Sequence, residues 1–199
     1  MGVKITNEVP KGLRSNLKMT YNMDPIQNET YFESNSKPKI WKKLLYSLSF
    51  FHAVVLERRD FGPLGWNIPY GFMESDMRIS CEQLHSFLNE FDEIPFQMLH
   101  YLTAHCNYGG RVTDDKDRRF IDVLLHDYYN FDILNNPDFT LAPFPAYKSP
   151  EPGSLAKYRR HIDKLPHITE PEVYGLHRNA NITRNQQETQ VLLDALLSC

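Results

Sequence analysis

The chain has 199 residues, enough for one ample core or two small ones, and 41% of them are hydrophobic and 13% aromatic, which places it among globular proteins. Its 22 basic and 25 acidic residues leave a net charge of -3, so it has no basic excess of the kind that grips nucleic acid or an anionic membrane surface. Cys81, Cys106 and Cys199 are odd in number, far apart and free of any C-x-x-C spacing, and they read as reduced thiols, not as a disulfide frame or zinc knuckle.

Val3-Lys4-Ile5-Thr6 alternates apolar and polar like a short strand, and no partner for it is visible in the sequence. The same alternation argues against reading Met1-Gly2 as a myristoylation signal, and no apolar leader follows it. Pro10 and Gly12 separate the strand from a short helical candidate, Leu13 to Leu17, and residues 22–38 read as a polar connection.

Leu44 to Leu56 is apolar or small almost without interruption, so a helix built from it is greasy all round and needs several neighbours to enclose it. Charged residues bracket the run, and it is far shorter than the roughly 20 residues that span a bilayer, so a buried hub helix is expected. Gly62 and Pro63 stop it. The following loop, Leu64 to Tyr70, is too apolar to lie loose in water and is expected to fold back over the hub, with Trp66 in the core.

Ser75 and Asp76 form a start signal for a helix carrying Met77, Cys81, Leu84, Leu88 and Phe91 on one stripe. Pro95 suits the first turn of another, with Met98, Leu99 and Leu102, ended by Asn107-Tyr108-Gly109-Gly110. Thr113 or Asp114 caps a third, bearing Ile121, Leu124, Leu125 and Tyr128. These three helices around the hub predict a bundle over residues 37–136.

Five prolines between Pro137 and Pro152 force extended backbone, and Phe139, Phe144 and Tyr147 among them predict a strap tacked across the bundle at 137–153. Leu155, Tyr158, Ile162 and Leu165 mark a short amphipathic helix, and Thr183-Arg184-Asn185-Gln186 reads as a capping box before a last helix with Val191, Leu192, Ala195 and Leu196. An unpaired strand at one end and an apolar helix at the other lead us to expect a piece of a larger protein.

The catalytic vocabulary is thin. There is no Gly-Lys pair, hence no P-loop, and neither H-E-x-x-H nor G-x-S-x-G occurs. His100, His105 and Cys106 share or adjoin one helix and can be imagined as metal ligands with Cys81, but their spacing of five and six puts them on diverging faces, so no metal is expected. Arg111 follows two glycines at a helix start, where its guanidinium can reach a phosphate or a carboxylate; a salt bridge to Asp114, Asp115 or Asp117 that locks the turn is the plainer expectation. Arg58 and Arg59, in Glu57-Arg58-Arg59-Asp60, read first as a solvated helix end and second as an inter-domain contact.

Four runs, KITNEVPKGLRSNL (4–17), FFHAVVLERRDFGPLGWNIPY (50–70), NYGGRVTDDKDRR (107–119) and PEVYGLHRNANIT (171–183), closely resemble dynein heavy chains, in order and over nearly the whole length. They are similar to the helical lid of the sixth AAA+ module running into the C-terminal region, and GPLGWNIPY with NYGGRVTDD resembles axonemal more than cytoplasmic chains. The resemblance implies a mainly α, AAA+ lid-like bundle with a Pro-rich strap and one residual N-terminal strand. Residues 1–20 would close the large subdomain, 37–136 would be the lid, 137–153 the strap and 154–199 the start of the C-terminal region.

It further implies a parent motor that hydrolyses ATP with Mg2+ at other modules and moves on microtubules in cilia or flagella. This stretch would bind no cofactor and contact the rest of the ring, with no nucleic-acid or membrane partner. The residues expected at structural or interface positions are Arg58, Arg59, Trp66, Asn67, Asn107, Gly109, Gly110, Arg111, Asp114 and Asp115. Arg111 falls where AAA+ lids often place a nucleotide-sensing arginine, and here bracing the turn is the implied role. The rival expectation is a free-standing helical interaction module that uses the strap and the last helix to hold a partner; an enzyme built on the histidines and cysteines is a third, weaker one.

Overall fold

Apolar side chains on every face of the segment from Trp41 to Val55 leave it no side to turn to water. In the computed structural model, which describes residues 11–197, this segment is the middle of α3 (Pro38–Glu57), and almost all of its side chains are buried. The helix starts about a turn and a half earlier than the apolar run, because Pro38 is pre-set for a first turn and Trp41 packs inward.

Around it stand α1 (Leu13–Thr20), α2 (Glu29–Glu33), α4 (Glu74–Glu90), α5 (Phe96–Tyr101), α6 (Asp115–His126), α7 (Asp132–Asn135), α8 (Leu155–Asp163) and α9 (Ala180–Leu197). The hub packs directly on α1, α4, α7 and the short turn at Pro171–Tyr174. Residues just after α6 reach it through aromatic contacts, with Tyr128 against Phe50 and Phe51. Ser47 Oγ also donates to the Tyr128 carbonyl at 2.7 Å.

The strand expected at Val3 to Thr6 lies outside the described residues. Among the described residues there is no strand, only one isolated antiparallel bridge between Thr140 and Lys148, so the fold is mainly α. Within the stretch expected to be a polar connection, Asn28 caps the one-turn helix α2, whose Phe32 is fully buried and accepts a hydrogen bond at its carbonyl from Trp41 Nε1 at 2.9 Å.

Two helix boundaries move for local reasons. α4 is capped from Met73, whose backbone N–H donates to Asp76 Oδ2 at 2.8 Å, so Ser75 lies in the first turn and Asp76 does the capping. α9 begins at Ala180, one turn before the Thr183 capping box. No helix among the described residues is long and apolar enough to cross a membrane.

The proline-rich segment is held by its own ladder and by the hub. Leu141 N donates to the Tyr147 carbonyl at 3.0 Å, and the Tyr147 ring meets Phe50 edge-on at 5.8 Å. A second aromatic knot lies one turn earlier on α3, around Tyr46, where Tyr21 of the α1–α2 connection stacks on Tyr158 of α8 at 5.8 Å.

His52, in the middle of the hub and fully buried, has Nδ1 2.8 Å from Tyr108 Oη. Burial pulls its pKa down to about 4, below the ordinary imidazole value of 6.5 that the unfolded chain retains. The unfolded chain therefore takes up this proton first, and the contribution of a neutral His52 is lost as pH falls from about 6.5 to 4. Glu57, whose carboxyl burial pushes up to about 7, works the opposite way over the same range, so the test is a difference: the urea midpoint of His52→Gln, which keeps an acceptor for Tyr108 but does not titrate, is expected to rise relative to that of the native chain between pH 7 and pH 5.

Candidate functional site

α3 gives way at Arg58 to a tighter 3-10 stretch, Arg58–Leu64, kinked at Gly62, whose φ of 54° and ψ of -135° suit glycine alone. The chain then doubles back: Trp66 N donates to the Gly62 carbonyl at 2.9 Å, and a Cβ on Gly65 would sit 1.7 Å from the Arg58 carbonyl. That return lays the Trp66 indole over the end of the hub, with Nε1 donating to the Val55 carbonyl at 3.1 Å and Tyr70, Phe72 and Phe120 around the ring.

The fold-back encloses Arg58. Its side chain is buried, with Nε and Nη2 donating to the Gly65 carbonyl at 3.1 and 3.0 Å and Nη1 donating to the Tyr174 carbonyl. The guanidinium lies 4.0 Å from the Phe120 ring centre and 5.5 Å from that of Trp66. Burial lowers its pKa to about 10, which still leaves it charged at neutral pH. The expectation of a solvated helix end thus holds for exposed Arg59 and fails for Arg58, because the backward turn at Gly62 and Gly65 wraps carbonyls around it.

Glu57 is buried on the other side, accepting from Gly12 N at 2.7 Å and Asn16 Nδ2 at 2.6 Å, and burial pushes its carboxyl up to about 7. The end of the hub is therefore tied to α1 as well as to the loop.

A second cluster joins the loop to α6. Asp114 caps α6, accepting from Lys116 N at 2.9 Å and Asp117 N at 3.0 Å, and also takes Asn67 Nδ2 at 3.0 Å. These neighbours hold its carboxyl below the usual range, the hydrogen bond from Asp117 N first among them. Asp117 accepts from Asn67 N at 3.2 Å, Ile68 N at 3.4 Å and Tyr70 Oη at 2.9 Å. Tyr70 Oη in turn accepts from Asp114 N at 3.1 Å. The runs at 50–70 and 107–119 are thus neighbours in space, sewn together by two aspartates.

Arg111 forms a salt bridge, but with a partner outside its own turn. Nε lies 3.2 and 3.0 Å from the two carboxylate oxygens of Asp76, which is buried at the start of α4, and not on Asp114, Asp115 or Asp117. Asp114 and Asp117 are already engaged by the loop, and Asp115 is exposed, 4.0 Å from Arg118. Asn107 Nδ2 reaches Ser80 Oγ and Gln83 Oε1 on α4, at 2.9 and 2.8 Å. Gly109 and Gly110 differ: a Cβ on Gly109 would come within 2.2 Å of the Ala104 carbonyl, whereas one on Gly110 meets nothing within 4 Å.

The sequence suggests Asp117 only as a partner for Arg111, not for the loop, and does not single out Phe120 or Tyr174. For Asp117 a signal existed in its place three residues after the Asp114 cap; for Phe120 and Tyr174 there was none, since both contacts join segments far apart in the chain. His100 and His105, expected on diverging faces, meet the same carboxylate, Asp122. His105 lies in a π-helical turn at Leu102–Asn107, wider than the α-helical turn on which the expectation of diverging faces rests. Neither Cys81 nor Cys106 joins them: the donors that approach within 4.8 Å of one another are those of His100, Asp122 and His126.

What the site offers is cross-bracing. Arg58 ties the loop to α6 and the 171–174 turn, Asp114 and Asp117 tie the loop to α6, and Arg111 ties the following turn to α4. The family model described as "Dynein heavy chain AAA lid domain" matches residues 41–180, the span that contains all three ties. The chain belongs to the dynein heavy chain AAA lid family. It is 52% identical over 197 residues to dynein axonemal heavy chain 12 of Mus musculus and 53% identical over 196 residues to dynein axonemal heavy chain 3 of Homo sapiens, in each case over 98% of this chain. It is 43% identical over 197 residues, 99% of its length, to the dynein-1-beta heavy chain of the flagellar inner arm I1 complex of Chlamydomonas reinhardtii. The match spans only 6%, 5% and 4% of these three relatives.

For this dynein lid, Trp66→Ala is expected to cost roughly 3 to 5 kcal/mol, as for a large buried aromatic, with an unchanged melting temperature counting against the packing described. Gly109→Ala is expected to lower the melting temperature clearly, while Gly110→Ala stays within about 0.5 kcal/mol of the native chain in denaturant titrations.

Proposed function

We propose that this chain is the helical lid of the sixth AAA+ module of an axonemal dynein heavy chain and that it transmits movement around the motor ring without chemistry of its own. In this reading 1–20 ends the large subdomain, 37–136 forms the lid, 137–153 straps it and 154–199 leads into the C-terminal region. The parent binds ATP and Mg2+ at other modules, works on microtubules in the axoneme of a cilium or flagellum, and supplies the neighbours this lid touches. The relatives' names, axonemal and flagellar, support the location.

The observation that carries the mechanical role is buried Arg58, which joins the hub, the fold-back loop, α6 and the 171–174 turn through carbonyls and an aromatic face. Segments locked in this way move as one body when neighbouring modules open and close. Arg111 supports the same reading, because its charge is engaged by Asp76 within the lid. The exposed leucines of α9, Leu192, Leu193, Leu196 and Leu197, fit a free-standing interaction module as well as a lid within a longer chain and favour neither.

The purified chain is expected to give no saturable heat with ATP and Mg2+ in calorimetry; stoichiometric micromolar binding would overturn the proposal. In the intact heavy chain, Arg58→Gln is expected to slow microtubule gliding more than it slows ATP turnover. Gliding and turnover that both match the native motor would remove Arg58 as the carrier of the role.

A further inference from the structure

The convergence of His100, His105, Asp122 and His126 has no part in the cross-bracing described above. His100 closes α5 and His105 lies in the π turn that follows, while Asp122 and His126 are one turn apart on α6 and share a face. His105 Nε2 is 2.9 Å from Asp122 Oδ1, and His100 Nδ1 is 3.4 Å from the same oxygen. The His126 ring stacks on that of His100 with centres 3.8 Å apart and planes inclined by 22°.

The hydrogen bonding of His100 decides what this cluster lacks. Its Nε2 is 3.0 Å from the Asp122 backbone carbonyl, which only accepts, so Nε2 carries the proton. In the neutral ring Nδ1 then bears a lone pair and lies 3.4 Å from Asp122 Oδ1, so the two acceptors sit together comfortably only with a cation beside them, a proton on Nδ1 or a metal ion held by both.

The Nε2 contact is also the outer hydrogen bond that orients a metal-binding imidazole and fixes its tautomer. The donor set, imidazole nitrogens with one carboxylate, suits zinc and its late first-row neighbours and does not suit Mg2+ or Ca2+, which prefer oxygen alone.

We propose that His100 Nδ1, Asp122 Oδ1 and His126 form a binding site for a zinc-type divalent cation, with His105 as a fourth ligand or as the partner that holds Asp122 in place. The three donors now lie within 4.8 Å of one another and have to close to about 3.3 Å for tetrahedral coordination. The side chains that must swing are the accessible ones: His126 is exposed and Asp122 half-buried, while His100 is fixed by its Nε2 contact. A bound ion would staple α5 and the π turn to α6, across an edge of the lid where the exposed Tyr101 and Val123 show little packing. Its effect is to stiffen, since a ligand that binds only the folded state adds to its stability.

The test uses the native chain freed of metal with a chelator and titrated with zinc chloride, magnesium chloride serving as the comparison. One zinc per chain and a rise in melting temperature are expected, with no response to magnesium. Cobalt(II) in place of zinc should give the visible absorption of a tetrahedral site. His126→Ala, an exposed position whose loss leaves the fold intact by circular dichroism, should weaken zinc at least tenfold, as should Asp122→Asn. Cys106→Ser, which removes an exposed thiol outside the cluster, should leave zinc affinity unchanged. Absence of saturable zinc binding at 1:1, or binding that survives His126→Ala and Asp122→Asn at native strength, overturns the proposal.

Discussion

A guanidinium buried beneath an indole at the end of an apolar helix sets the terms for this fold. Arg58 cannot be left without partners once it is out of water, because an uncompensated buried charge costs several kcal/mol. Here no carboxylate among the described residues pairs with it; backbone carbonyls of Gly65 and Tyr174 and the face of Phe120 take that role. Each of those partners comes from a different stretch of chain. The loop after the hub, the N-terminal half of α6 and the 171–174 turn must therefore all be in place for the charge to be accommodated, and the charge in turn fixes where they sit.

The loop from Leu64 to Tyr70 is the element most shaped by this requirement. Its apolar residues alone would favour burial somewhere, but burial over the end of α3 needs the reversal at Gly62 and the close approach at Gly65. With the reversal made, Asn67 and Tyr70 fall opposite Asp114 and Asp117, and the N-terminus of α6 acquires both its cap and its neighbour from one pair of aspartates. Arg111 then turns away from those occupied carboxylates towards Asp76, which fastens α4 to the same turn. Charged side chains placed at segment ends here join segments distant in sequence.

The sequence by itself determined a good deal. Helical periodicity and a long all-apolar run gave a mainly α fold with α3 at its centre, since a helix greasy on every face has no stable place except the middle. Asp114 marked a real helix start and Gly62 a real chain reversal, because capping and reversal are local chemistry, whereas α3 itself ends at Glu57, five residues before the Gly62-Pro63 stop. Trp66 was legible as core. The four runs that resemble dynein heavy chains were legible as text; the family match over residues 41–180 covers two of them and most of a third, and the relatives match over 98% of the chain.

The tertiary structure alone decided which charges pair. Glu57-Arg58-Arg59-Asp60 offers no local clue that Arg58 turns inward while Arg59 stays in water, because the carbonyls that receive Arg58 belong to residues brought in by folding. Arg111 had three nearer aspartates in sequence and took a fourth, Asp76, since the nearer ones were occupied or faced solvent. His100 and His105, which the α-helical repeat sets on diverging faces, meet at Asp122 of another helix, with His105 in a π turn whose pitch spacing rules do not encode. Periodicity and capping depend on neighbours in the chain and so can be read from it; ion pairing and ligand convergence depend on neighbours in space, and those exist only once the chain has folded.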